Sequence, residues 1–183
     1  KTTSPIVSTP KHIRIDGKDF IALKEENGTL HLLNRTGKSR VKIKENIAFS
    51  EQAIHAYLKT FTTTDQEGNL IQIDTRGNVV KSDLGLEKSH AIATTTKSLV
   101  TLSSNILTIK GIPVTLPYGQ YTTPDIFYLN NILYIAVTDK EAEKVYLYLS
   151  DGSLVPGFPV YGTSAIDLVN ADKDKALEFI VQS

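Results

Sequence analysis

Leu30-His31-Leu32-Leu33-Asn34-Arg35-Thr36-Gly37 returns 40 positions later as Leu70-Ile71-Gln72-Ile73-Asp74-Thr75-Arg76-Gly77. In both stretches apolar residues hold the first and fourth places and a glycine closes the run. The spacing recurs 75 residues further on, with Val145, Tyr148 and Gly152 in those places. In between, Ile106 and Ile109 take the two apolar positions at an offset of 36, with the turn shortened to Gly111. An apolar run of strand length that ends in a glycine turn is hairpin chemistry, because glycine supplies the positive φ a tight reversal needs.

The strand before each of these runs repeats as well, in Phe20–Lys24, Phe61–Thr64, Leu99–Leu102, Leu133–Thr138 and Phe179–Val181. Their starts are 41, 38, 34 and 46 residues apart. Around the first copy, Lys11–Asp16, Phe20–Lys24, Leu30–Asn34 and Arg40–Ile43 read as four consecutive antiparallel strands, and Ile13 and Ile15 alternate with Arg14 as in a strand with one buried face. A four-stranded unit recurring at about 40 residues is the mark of a β-propeller. A single-sheet meander or a β-sandwich is the alternative.

The expected fold is therefore all-β and β-propeller-like, with four to five four-stranded antiparallel blades and the last one incomplete. The chain is read as a single propeller-type domain over residues 1–183, with units at about 6–43, 54–86, 90–116 and 121–160 and a partial unit at 164–183. A sheet cut in half exposes unpaired backbone at its edge. Either the segment around Pro5–Ser8 completes it, or the parent protein continues past Ser183. The chain begins at Lys1 and contains no methionine, so it is expected to be a piece of a larger protein. The one stretch with helical spacing is Ser50–Leu58, where Ala53, Ile54, Tyr57 and Leu58 fall on one face.

Composition narrows the function. Lysine and arginine total 20, as do aspartate and glutamate, so there is no excess positive charge for a nucleic-acid partner. The longest strongly apolar run, Ile132 to Val137, is far short of the roughly 20 residues a membrane-spanning helix needs. With no cysteine there are no disulfides, no thiolate metal sites and no thiol catalysis. The 20 threonines, set among Ile, Val, Leu and Tyr, suit half-buried pleated surfaces.

Two stretches carry a family resemblance. Val145-Tyr-Leu-Tyr-Leu-Ser-Asp-Gly-Ser-Leu-Val-Pro-Gly-Phe-Pro-Val160 resembles the outer half of blades in bacterial propellers of the FG-GAP (VCBS-like) and quinoprotein-like (PQQ-like) types. There a strand, an Asp-Gly turn and a Pro-Gly-aromatic-Pro ending recur. Ser164-Ala-Ile-Asp-Leu-Val-Asn-Ala-Asp-Lys-Asp-Lys-Ala-Leu-Glu-Phe-Ile-Val181 resembles the start of an FG-GAP unit, in which an acidic loop joins two strands. That resemblance implies calcium, held by Asn170, Asp172, Asp174 and Glu178, since hard cations take oxygen ligands. Two departures stand against it: the first ligand is a neutral Asn, and Lys175 replaces the turn glycine. The alternative is a solvated acidic hairpin. Asp139-Lys-Glu-Ala-Glu-Lys144 occupies an equivalent place with mixed charge and no ligand spacing.

Catalytic patterns are sparse. A quinoprotein enzyme would need tryptophan docking motifs, and the chain has no tryptophan. His12, His31, His55 and His90 are scattered singly, outside any nucleophile elbow or H-E-x-x-H arrangement. Asp125 and Asp167 are the acids that fall on inner strands, where a glycosidase would set its pair. Ile126, Phe127, Ile166 and Leu168 beside them point to packing instead. The late aromatics, Tyr118, Tyr121, Phe127, Tyr128, Tyr134, Tyr146, Tyr148, Phe158 and Tyr161, are expected to fill the core, and any left exposed would mark a binding surface. The expected function is a non-catalytic scaffold or interaction module of an exported bacterial protein, binding a protein or a glycan. Export rests on the resemblance. The alternatives are a calcium-stabilised adhesion module and an accessory domain of a larger enzyme.

Overall fold

A computed structural model describes residues 2–169 and 178–182. These contain β-strands and no helix. Strands β1 (Lys11–Ile15), β2 (Lys18–Lys24), β3 (Leu30–Leu33) and β4 (Ser39–Val41) form one antiparallel sheet in sequence order. A second consists of β5 (His55–Tyr57), β6 (Thr60–Thr64), β7 (Leu70–Ile73) and β8 (Val79–Ser82). The third holds β9 (His90–Thr94), β10 (Leu99–Ser103), β11 (Ile106–Ile109) and β12 (Ile112–Thr115). The fourth holds β13 (Asp125–Leu129), β14 (Ile132–Asp139), β15 (Lys144–Leu149) and β16 (Val160–Tyr161). A two-stranded sheet of β17 (Asp167–Val169) and β18 (Glu178–Ile180) follows. Four four-stranded meanders and a short fifth sheet are the expected propeller blades. By compactness the chain divides into two units, up to Ser98 and from Leu99.

Two turn chemistries build the sheets. In three of the four blades the first two strands are joined by a two-residue reversal with positive φ, at Asp16-Gly17 (47° and 74°), Leu58-Lys59 (47° and 63°) and Asn130-Asn131 (50° and 63°). Five of the later turns are longer. Gly28 N–H bonds back to the Glu25 carbonyl, and the same bond recurs from Gly37 to Asn34, Gly68 to Asp65, Gly77 to Asp74 and Gly152 to Leu149. Each is a three-residue loop whose glycine forms the bulge. That shared geometry is why the glycine spacing repeats along the sequence.

Each unit has its own core. In the first, Ile13, Ile15, Leu32, Ile71 and Ile73 surround Phe20 and Phe61, whose rings meet edge to face at 4.8 Å. These two phenylalanines hold the same place in successive blades, the third residue of β2 and the second of β6. In the second unit, Tyr134, Ala136, Val145 and Leu147 pack with Ile166 and Leu168. The packing role read for Ile166 and Leu168 is thus what they do.

Ser50–Leu58 is not helical. Ala56 pairs with Phe61 and Tyr57 with Thr60 across the Leu58-Lys59 turn, so the stretch runs into β5. Nine residues of helical spacing cannot outweigh cross-strand pairing. No helix of the described residues is long and apolar enough to cross a membrane.

Candidate functional site

In three sheets an acid sits at the end of the second strand: Glu25, Asp65 and Asp139. Each is buried and forms an isolated antiparallel bridge to the segment leading into its blade, at Ile6, Phe49 and Tyr121 respectively. The position lets the acid tie its blade's inner turn to that segment, and the three side chains are satisfied differently.

Asp65 Oδ1 accepts from the backbone N–H of Glu67 (3.0 Å) and Asn69 (2.9 Å), while Oδ2 pairs with Lys81 Nζ at 2.9 Å. Burial pulls its pKa up, but the bonds from Lys81 and Asn69 prevail and hold it below the usual carboxylate value. Glu25 reaches further. Its carboxylate meets His31 Nε2 at 2.5 Å and accepts from the Thr3 N–H and hydroxyl and the Ser4 N–H. Burial raises Glu25 as well, yet the bonds from Thr3, His31 and Ser4 outweigh it and bring it down to about 2.

Asp139 differs. Its Oδ1 accepts from the N–H groups of Glu141 (3.0 Å) and Ala142 (3.2 Å). Its Oδ2 is the buried side-chain polar atom that, among the described residues, has no hydrogen-bond partner. The carboxylate lies against the backbone of Gly119, where an added Cβ would fall 2.2 Å from Oδ2. Tyrosines run from this end along the fourth sheet. The Tyr121 and Tyr146 rings meet edge-on at 6.3 Å, and Tyr146 stacks with Tyr148 at 6.4 Å. Burial, and then the charge of Asp139, push the phenols of Tyr121 and Tyr146 up. At the same end of the sheet Tyr118 is 92% exposed and Tyr161 is 60% exposed. Tyr161 pairs in register with Lys144, at the end of β15 that adjoins the Asp139 turn.

The first unit carries a cleft of about 890 Å³ lined by Ser8, Lys24, Glu25, Phe49, Ser50 and Gln66 among others. Lys24, only 2% exposed, donates from Nζ to the carbonyl oxygens of Ser50 (2.7 Å) and Gln52. Burial lowers its pKa to about 8, against a small opposing pull from Glu51. Beside it, His90 Nδ1 lies 2.8 Å from the Glu87 carbonyl and must donate there, so Nε2 accepts from the Thr64 hydroxyl at 2.7 Å. Thr64 in turn accepts from the Ser50 hydroxyl at 2.7 Å. The hydroxyl in contact with the imidazole is that of Thr64, which is fully buried and out of a substrate's reach, and a carbonyl stands where a triad has a carboxylate. The chain of bonds ties the loop before β5 to β6 and β9.

Of the calcium ligands the resemblance implies, Asn170, Asp172 and Asp174 lie outside the described residues. Glu178 opens β18, in register with Val169. Among the described residues no cluster of three or more metal-ligating side chains occurs. Asp125 and Asp167 open β13 and β17, and burial, then the charge of Asp167, raise the Asp125 pKa. The aromatics divide. Tyr134, Tyr146 and Tyr148 are buried as expected, whereas Tyr118, Tyr128 and Tyr161 are exposed. The recurring acid was missed by sequence reasoning, although Glu25 and Asp65 each stand three residues before a turn glycine.

Comparison with known proteins supports the fold alone. No family model and no curated protein sequence matches the chain. Among solved structures, the computationally designed Ika8 protein is similar over 93% of this chain and 54% of its own, with a TM-score of 0.54 and 14% identity. BamB from Moraxella catarrhalis is similar over 92% of this chain and 56% of its own, with a TM-score of 0.52 and 17% identity. A protein of unknown function from Bacteroides caccae covers 99% of this chain and 79% of its own, with a TM-score of 0.51 and 12% identity. The chain thus spans little more than half the length of the first two. These likenesses, with the four four-stranded sheets, bear out the propeller reading of the fold.

Proposed function

We propose that this chain is a non-catalytic β-propeller module of an exported bacterial protein, and that it binds a protein or glycan partner through the end of the fourth sheet that carries Tyr118 and Tyr161. The observation behind this reading is the exposure of those two rings beside a buried tyrosine cluster, when Tyr134, Tyr146 and Tyr148 of β14 and β15 serve the core. Aromatic side chains offer large contact area for little conformational entropy, so a pair left in water at one sheet end suits a recognition surface. The Ser50–Thr64–His90 chain supports the non-catalytic part, because its hydroxyls and imidazole are engaged with one another. Export follows the resemblance to bacterial propellers.

The chain has no tryptophan, and seven of its eight tyrosines fall between Tyr118 and Tyr161, so tyrosine emission responds mainly to this region. The test titrates the protein with a panel of unstructured peptides of varied charge and of bacterial cell-wall oligosaccharides, following emission and any cleavage of the probe. Saturable quenching by at least one class, weakened at least about tenfold in a Tyr118→Ala, Tyr161→Ala double variant, is expected. Turnover of a probe, or binding indifferent to both tyrosines, overturns the reading.

A further inference from the structure

We propose that Asp139 is the receptor for a cationic group of the partner, a lysine ammonium that docks beneath the Pro117–Gln120 loop and against the tyrosines of the fourth sheet. The inference rests on the binding reading above and names the chemistry of what is bound.

The other blades supply the comparison. The acid at this position meets a basic side chain in each of the first two sheets: His31 for Glu25 and Lys81 for Asp65. Both come from the acid's own blade, from β3 and β8. In the fourth sheet no described residue pairs with Asp139 Oδ2, although the residue is only 1% exposed. A buried carboxylate oxygen left without a donor costs more than the pairs in the first two sheets, and a charged donor relieves that cost best. The surroundings suit an ammonium. The tyrosine cluster beside it, in which Tyr121 meets Tyr146, suits the desolvated stem of a lysine, and the carboxylate gives the charge a fixed destination.

Access depends on one short loop. Pro117–Gln120 covers the carboxylate through the Gly119 backbone. It is held near Asp139 by the Tyr121 hydroxyl donating to the Pro117 carbonyl at 2.8 Å and the Lys140 N–H donating to the Gln120 carbonyl at 2.8 Å. Tyr118 projects from it into solvent. A partner that engages Tyr118 therefore grips the segment that must shift for its lysine to reach Oδ2. A glycine at 119 lets the loop close on the carboxylate when nothing is bound, a fit any larger residue would prevent.

The probe is Nα-acetyl-lysine N-methylamide, compared with the same compound acetylated on its ε-nitrogen, by tyrosine emission and thermal midpoint. The free amine is expected to quench emission saturably and raise the midpoint, and the ε-acetylated form to do neither. Asp139→Asn is expected to weaken the amine at least about tenfold while folding at least as stably as the parent, since it removes an unpaired buried charge. Equal responses to the two probes, or equal affinity in Asp139→Asn, overturn the proposal, and the probe comparison decides it even if that variant fails to fold. A peptide or glycan that depends on Tyr118 and Tyr161 but not on Asp139 would leave the binding reading standing and defeat this inference alone.

Discussion

Lys24 Nζ donates to the carbonyl of Ser50 at 2.7 Å, and the cation lies in a buried place where, among the described residues, no carboxylate is bonded to it. Burial brings its pKa down from 10.5 to about 8, so folding disfavours the proton. The unfolded chain then binds more protons between pH 8 and 10.5, and stability must rise with pH across that window. The neutral amine keeps its bonds to Ser50 and Gln52, so raising the pH removes only the desolvated charge. Taken as the difference between the parent and Lys24→Met from pH 8 to 10, so that tyrosine ionisation near pH 10 cancels, the gain is expected to be about 1–2 kcal/mol after solvent screening. That is a rise of about 3–6 °C in the unfolding midpoint. Lys24→Met should flatten the slope, and a slope that survives the substitution would assign it to another group.

Glu25 gives the opposite sign at the acid end. Its carboxyl is held at about 2 against an ordinary 4.5, so its contribution is full above about pH 4.5 and is lost as the pH falls toward 2. Glu25→Gln should melt below the parent at pH 6, and the two midpoints should converge as the solution is acidified. Asp65 and Asp74 are also held low, but they are present in both proteins and cancel in the difference. A gap that stays constant from pH 6 to 2.5 would mean that Glu25 acts by shape and not by charge.

The glycines that reveal the repeat are not equivalent. Gly37 and Gly77 close matching turns at φ of 76° and 89°. A Cβ at Gly37 would meet nothing within 4 Å, whereas one at Gly77 would fall 2.1 Å from the Lys42 carbonyl oxygen. Gly37→Ala should therefore cost only the left-handed strain of about 1–2 kcal/mol. Gly77→Ala adds a backbone clash and should cost about 2–4 kcal/mol. Chemical denaturation of the two variants tests this, and equal losses would show that the Lys42 segment yields freely.

These contrasts explain what could be read in advance. The Leu30–Gly37 and Leu70–Gly77 pattern was legible because strand and turn are local, and each glycine answers to the φ of its own residue. The same locality misled at Ser50–Leu58, where pairing of Ala56 with Phe61 settles the conformation and short-range spacing does not. Asp139 was invisible as a site for a further reason. In sequence it belongs to a mixed-charge turn, and its distinction is that no cation reaches it from β15 or β16. A missing partner across strands leaves no mark on neighbouring residues. The exposed tyrosines could be named but not sorted, since Tyr128 and Tyr146 both stand in strand runs and differ in burial.

The acidic segment Asn170, Asp172, Asp174 and Glu178 yields the last prediction. Lys173 and Lys175 put two positive charges beside the would-be ion, and Lys175 would take the turn conformation usually left to glycine, at about 1–2 kcal/mol. Both effects oppose calcium. The midpoint in millimolar calcium should accordingly match that in excess chelator to within about 1 °C, in the parent and in an Asp172→Ala, Asp174→Ala variant alike. A working site filled at about 100 times its dissociation constant would instead stabilise the fold by roughly 2.7 kcal/mol. For a chain this long that is about 5–10 °C. Such a rise, abolished in the double variant, would restore the calcium-stabilised reading and make the segment after β17 a metal loop in spite of its lysines.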